Sequence, residues 1–318
     1  MIFEHPAELK DRIESLTNRK VRRPPDIFED TSSYMTIYGG SVLRLGGNDY
    51  FVLGDTREGR FGIDDQPKYW VKYAVDLTTG AHKIIKLVFY EEFDTELGLV
   101  KIKCRRRPEK ESRILELVKG HPRFMQGETV MDPVGNPVRV IDFIRGKSIY
   151  TTVGALEELD HETYFHERLP EIMPEVIACI EALVWLHQMG QHHGDVRNDH
   201  VLIDADTGTY RWIDFDYWVN YADYDLWGVG NIITFVVGKG IHTFRDVQRN
   251  PEDYPHLAGP LTDEDACLLA GWRVANLRKL YPYISAELGD VLLRFSEGAE
   301  LFYESLGEQV ADLKRLFG

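Results

Sequence analysis

Cysteine is scarce in this chain. The three present, Cys104, Cys179 and Cys267, stand far apart, with no metal-ligand spacing between them. They read as reduced thiols of a cytoplasmic protein, not as a disulfide frame. Basic charge is in deficit too: 37 Lys and Arg face 52 Asp and Glu, for a formal net charge of −15. That balance argues against a nucleic-acid-binding surface as the main function. Long hydrophobic runs are missing. Stretches such as Ile232 to Val237 fall far short of the roughly 20 apolar residues that span a bilayer, so no membrane span is expected. The opening, Met1-Ile2-Phe3-Glu4-His5-Pro6, has no basic segment followed by an apolar one, so no secretory signal is expected. Internal repeats and low-complexity tracts are absent as well. What is present is ordinary globular material: 318 residues, 43% hydrophobic, enough for two packed lobes or one large domain.

Along the chain, residues 1–33 read as a polar extension with a helix over Ala7 to Leu16, ended by the basic run Arg19 to Pro25, which reads as a solvated linker. Residues 34–90 alternate short apolar stretches with Gly and Asp, as in Tyr50 to Leu53, Trp70 to Val75 and Ile84 to Phe89. This is the pattern of an antiparallel sheet. Pro108 to Val118 reads as an amphipathic helix with Ile114, Leu117 and Val118 on one face. From about residue 171 the pattern is mostly helical, with Val176, Ile180, Leu183 and Leu186 at helical spacing.

The most informative stretch is His193-Gly194-Asp195-Val196-Arg197-Asn198-Asp199-His200, followed by Val201 to Ile203, a turn at Asp204 to Gly208, Tyr210 to Ile213, and then Asp214-Phe215-Asp216. Two short apolar strands about a turn form a hairpin, and a hairpin returns the chain to its start. Asp195 and Asp214 are thereby brought near each other. Phosphoryl transfer uses such a pair, one acid orienting a hydroxyl and the other holding a metal on the phosphates.

This segment resembles the catalytic loop and metal-binding motif of the protein-kinase-like phosphotransferases. Protein kinases carry HRD and DFG there, the aminoglycoside and choline kinase branch carries HGD, and this chain has HGD and DFD. Asp225-Leu226-Trp227-Gly228-Val229-Gly230 resembles the DxWxxG start of a protein kinase's long buried helix, and Pro282 to Ser305 resembles the last helices of bacterial serine/threonine kinases. The resemblance covers about residues 35–316. It implies an α+β, two-lobed protein-kinase-like fold: an extension at 1–33, a sheet-based N-lobe with one main helix at 34–141, and a hinge with a mostly helical C-lobe at 142–318.

It also implies site roles. Asp195 would be the catalytic base, with Arg197 beside it to neutralise phosphate. Asp214 would hold the metal. Gly59 and Gly62 match the second and third glycines of the phosphate loop, with Arg57 in the place of the first. Lys86 would hold the ATP phosphates, anchored by Glu111, with Glu109 and Glu116 as rivals. Asp142 and Ile144 would offer backbone groups to adenine, Ile141 would guard the back of the pocket, and Leu202 joins the nucleotide-binding set.

Five departures bear on activity and its control. Ile84 replaces a small residue above the adenine. His200 replaces an asparagine that supplies oxygen to a second Mg2+, and imidazole suits Mn2+ better; Asn198 or Asp199 would be the substitute donors. Only ten residues separate Asp214 from Asp225, which leaves no room for a full activation segment or an APE motif. Phe302 stands where the arginine that pairs with that motif belongs, and Gly194 stands where the HRD arginine reads activation-loop phosphate. Regulation by loop phosphorylation is therefore not expected. The expected function is ATP- and Mg2+- or Mn2+-dependent phosphorylation of a hydroxyl, on a protein or a small molecule. The alternative is a nucleotide-responsive pseudokinase.

Overall fold

The computed structural model describes residues 1–60, 63–97, 100–219, 221 and 223–318, and side chains for these except at 58–60, 63–65, 96, 97 and 100. The chain forms two compact units. The first comprises Met1–Glu91, Arg106–His121 and Met125–Ile144; the second comprises Glu92–Arg105, Pro122–Phe124 and Arg145–Gly318.

The first unit is built on a seven-stranded sheet: β1 (Ile27–Phe28), β2 (Val42–Leu45), β3 (Asn48–Arg60), β4 (Ile63–Asp76), β5 (His82–Lys86), β8 (Gly127–Met131) and β9 (Pro137–Asp142), in the order β1-β2-β3-β4-β5-β9-β8. All neighbours are antiparallel except β1 and β2. Helix α1 (Pro6–Thr17) begins with Pro6 in its first turn and ends at Asn18, which takes the left-handed conformation. Leu9 and Ile13, four apart on one face, pack on Val42, Phe51 and Leu77. The first residues are thus part of this unit's core. A second cluster, with Leu43, Val52, Ala74, Ile85 and Val140, fills another part of that core.

Helix α2 (Pro108–Leu117) starts with proline at its first turn. Its buried face is Glu111, Ile114, Leu115 and Val118, spaced at 3, 4 and 7 residues. Leu117, expected on that face, is exposed, because two steps of about 100° each carry it from Leu115 to nearly the opposite side of the helix.

The second unit is mostly helical. Short helices α3 (Ile149–Gly154) and α4 (His161–Thr163) precede α5 (Leu169–Gln188), and α6 (Tyr224–Val237) follows the loop and hairpin of residues 193–216. After these come α7 (Phe244–Arg249), α8 (Leu277–Leu280), α9 (Ala286–Leu293) and α10 (Leu306–Phe317), the last packed on α5. Val176, Ile180, Leu183 and Leu186 all face the core. Strands β10 (Gly146–Ser148), β11 (Val201–Asp204) and β12 (Tyr210–Trp212) form one small sheet. A second small sheet was not foreseen. Strands β6 (Glu91–Leu97) and β7 (Val100–Arg106) make a hairpin, and β13 (Tyr217–Val219), just past Asp216, lies along β7 in the order β13-β7-β6. No helix among the described residues is long and apolar enough to cross a membrane. All three cysteines are buried and free.

Candidate active site

In the second unit the loop from His193 to His200 hangs on Asp225, the first acid of α6. Its carboxylate accepts the N–H of His193 at 2.7 Å and of Gly194 at 2.8 Å, together with Nε2–H of His187 at 2.9 Å. Burial pushes the Asp225 carboxyl up, but the His187 hydrogen bond, the neighbouring imidazoles and the Gly194 N–H outweigh it and hold it at about 2. Gly194 sits at φ 83°, a region that strains any other residue. α6 also approaches the loop closely: a Cβ on Gly228 would stand 2.7 Å from Cβ of Val196. The loop is therefore fixed at its root.

The two acids of the motif face one histidine. His200 is buried, and its Nδ1 lies 2.8 Å from the Asp195 backbone carbonyl. A carbonyl can only accept, so Nδ1 carries the hydrogen and donates it. The same nitrogen is 3.5 Å from Oδ2 of Asp195, and Nε2 is 3.7 Å from Oδ2 of Asp214. The spacing brings Asp195, His200 and Asp214 together. Asp214 takes φ 69°, one of three non-glycine residues with positive φ among those described. Such a conformation survives only where the surroundings hold it. Here Ile213 N–H donates to the His200 carbonyl at 3.0 Å on one side. On the other, fully buried Phe215 stands edge-on to Phe124 at 5.8 Å and to His193 at 5.1 Å.

Burial pushes the Asp195 carboxyl above its ordinary range. His200 and Arg197 pull it down, Asp214 and Asp216 push it up, and the net direction is up. A carboxylate with a raised proton affinity is better matched to taking a hydroxyl proton near neutral pH. Arg197 forms a two-point pair with Asp199, with Nε 2.9 Å from Oδ1. The Asp199 carboxylate is thus committed to arginine, and Nε2 of His200 with Oδ2 of Asp214 forms a pair that could hold a divalent cation. Two ligands of one ion lie about 3–3.5 Å apart when each bond is near 2.1 Å, close to their 3.7 Å separation. Leu202 lies half-buried on β11, opposite Arg211 of β12 and Ser148 of β10.

In the first unit the geometry joins Lys86 to Glu111, with Nζ 2.6 Å from Oε1 and both side chains buried. Of the rival acids, Glu109 accepts the Tyr90 hydroxyl and Glu116 is exposed. Arg139, which the sequence reading did not single out, reaches the other oxygen of Glu111 with Nε at 3.3 Å and donates to the carbonyls of Pro137 and Leu87. One glutamate therefore serves two buried cations. Asp142 closes β9 and donates its N–H to the Gln126 carbonyl at 2.8 Å; Ile144 follows just beyond the strand. Gly59 lies in β3, where the pairing register slips between Glu58 and Arg60, and Gly62 lies outside the described residues.

The hairpin of β6 and β7 borders the segment that carries Asp195 and Asp216. Tyr217 packs with Ile102 and Cys104, Phe93 meets Tyr217 edge-on at 5.7 Å, and Arg105 lies over Trp218 at 5.6 Å. Burial pushes the Cys104 thiol up to about 11, and the nearby negative charge of Asp195 adds to the rise. The hairpin's signal was in the sequence: Val100, Ile102 and Cys104 alternate with Lys101, Lys103 and Arg105, the period of a strand.

No family model matches the chain, and no curated protein matches it in sequence. Solved structures do match. The kinase domain of Mycobacterium tuberculosis PknI aligns at a TM-score of 0.50 and 14% identity, covering 88% of this chain and 99% of that one. A cysteine-to-alanine mutant of the same domain aligns at 0.51 and 14% identity, covering 89% and 99%. At that identity the likeness speaks for the fold alone: the chain has an α+β, protein-kinase-like fold.

Proposed function

We propose that the protein is an ATP- and divalent-metal-dependent phosphotransferase that phosphorylates a hydroxyl group. The observation that carries this reading is the arrangement of Asp195 and Asp214 about His200, at 3.5 and 3.7 Å, on a loop rooted by Asp225. Asp195, its proton affinity raised, orients the acceptor hydroxyl and takes its proton. Lys86 holds phosphate oxygens and is kept in place by Glu111. Asp214 and the Nε2 of His200 are the groups that would hold the metal, and a nitrogen donor favours Mn2+ over Mg2+. When bound, the metal offsets phosphate charge.

The acceptor is a hydroxyl of serine/threonine type in the leading reading. A second reading, a small-molecule acceptor, is supported by the pairing of β13 with β7. Tyr217–Val219 is committed to that sheet, which shortens the stretch after Asp216 left to serve as a peptide platform.

The test is ATP turnover by purified protein with Mg2+ and with Mn2+, with nucleotide binding measured alongside. Turnover is expected, faster with Mn2+. Asp195→Asn should lower it by about a hundredfold or more with little change in nucleotide affinity. Tight nucleotide binding without turnover under either metal would make the protein a pseudokinase, and no binding at all would overturn the reading.

A further inference from the structure

A second group of potential metal ligands, none of them Asp195, His200 or Asp214, lies in the second unit. Nitrogen atoms of His187 and His192 and a carboxylate oxygen of Asp225 lie within 4.8 Å of one another. The fold produces this grouping through a helix ending. His187 is in the last turn of α5. The Gly190 N–H donates to the His187 carbonyl at 2.9 Å, and the Gln191 N–H to the Leu186 carbonyl at 3.1 Å. Those bonds wrap the chain back over the helix end. His192 is thereby set beside His187, their ring centroids 4.4 Å apart. Asp225 arrives from α6 and is already bonded to Nε2 of His187 at 2.9 Å.

We propose that His187, His192 and Asp225 form a site for a borderline transition-metal ion of the Zn2+ type, in which the ion replaces the hydrogen shared by His187 and Asp225. Two imidazoles and one carboxylate are a donor set that suits Zn2+ and not the hard cations Mg2+ or Ca2+. Bonds of about 2.0–2.1 Å at a tetrahedral angle place two ligand atoms about 3.3 Å apart. The 2.9 Å His187–Asp225 separation needs to open only slightly. His192 is exposed, so its ring can swing inward and the ion has a path from solvent. A helix C-terminus carries partial negative charge and favours a cation. A water completes the fourth position.

Asp225 keeps its hold on the loop when the ion binds, because the Gly194 N–H donates to Oδ1, the oxygen His187 does not use, and Oδ2 can accept the His193 N–H through its second lone pair. The ion therefore ties the end of α5, the turn after it and the start of α6 into one knot directly behind the catalytic loop. This makes the site a stiffening element whose occupancy is set by available metal and not by nucleotide.

The experiment uses the untagged full chain, stripped with chelator, and titrates Zn2+ by calorimetry while thermal unfolding is followed with and without the ion. Wild type should bind one more equivalent of Zn2+ than His192→Ala, or bind it at least tenfold more tightly, and only wild type should gain thermal stability from that equivalent. Without metal the two should unfold at the same temperature, since His192 is exposed. His192→Cys, which supplies a thiolate in place of the imidazole, should restore binding. Equal stoichiometry and affinity in wild type and His192→Ala, or no Zn2+ uptake by wild type, would overturn the proposal.

Discussion

Replacing Glu111 by glutamine tests the buried charge triad of the first unit. The change keeps the size of the side chain and removes one negative charge. Glu111 is fully buried, while the side chains of Lys86 and Arg139 are 7% and 2% exposed. Both cations then face the interior without the carboxylate they share. Removing one member of a buried ion pair costs about 3–5 kcal/mol, since the remaining charge cannot recover its hydration. With a urea slope of about 2 kcal/mol per molar, the unfolding midpoint of the first unit should fall by about 2 M. Trp70 is the one tryptophan of that unit, stacked on Phe89 at 4.0 Å. Labelling with fluorotryptophan and following each resonance by fluorine NMR through a urea series reports this unit separately, with Trp70→Phe giving the assignment. The triple change Lys86→Met, Glu111→Leu and Arg139→Met replaces the triad by apolar groups and should return the midpoint close to wild type while abolishing nucleotide binding. A fall of less than about 0.3 M for Glu111→Gln would refute the claim that this carboxylate balances two buried cations, since at that slope it corresponds to well under 1 kcal/mol.

Two further outcomes follow from the second unit. His200→Asn should replace the nitrogen donor near Asp214 by an oxygen donor and shift the preference from Mn2+ toward Mg2+ in turnover or metal-supported nucleotide binding; an unchanged ratio would remove His200 from the metal's surroundings. His161 stacks on Tyr281 at 3.5 Å, and burial pushes its imidazole down to about 4 even though the Val237 carbonyl favours the charged form. The unfolded chain then binds more protons than the folded one between about pH 4 and its ordinary 6.5, so stability is full above 6.5 and is lost as pH falls through that window. Discounted for partial exposure, the loss is about 2 kcal/mol, and His161→Phe, which keeps the stack, should flatten this part of the stability–pH curve.

The parts of the site written in local order were legible from sequence. Val201 to Ile203, the turn and Tyr210 to Ile213 announce a hairpin by composition, and Asp195 and Asp214 flank it. Glu111 was picked out by the resemblance, ahead of Glu109 and Glu116, and its burial beside Ile114 and Val118 on one helix face agrees with that choice. Arg139 could not. In the run Val138-Arg139-Val140 an arginine between two valines reads as the solvent face of a strand, and only the helix that covers that face gives it a buried partner. Arg197 was read as a phosphate contact; its pairing with Asp199, two residues on, is a local bond that the motif resemblance overshadowed. Strands β6 and β7 had a visible period-two pattern. What the sequence could not give was their destination, because pairing with Tyr217 to Val219 depends on contacts far along the chain.

That distant pairing bears on the order in which the molecule can be made. Glu92–Arg105 is an excursion of the chain out of the first unit and into the second, and β7 must wait for β13. Roughly 110 residues of chain are closed by the contact, an entropic toll of about 4 kcal/mol before any strand bond forms. During synthesis the sheet of the first unit can assemble while the excursion still exposes Ile102 and Cys104, the apolar side that Tyr217 later covers. A ribosome-bound or truncated chain ending before Tyr217 therefore presents a two-stranded ribbon with a greasy face and an unpaired edge, the form in which strands capture one another. The same hairpin that covers Tyr217 in the finished protein is the stretch most in need of protection while the protein is being built.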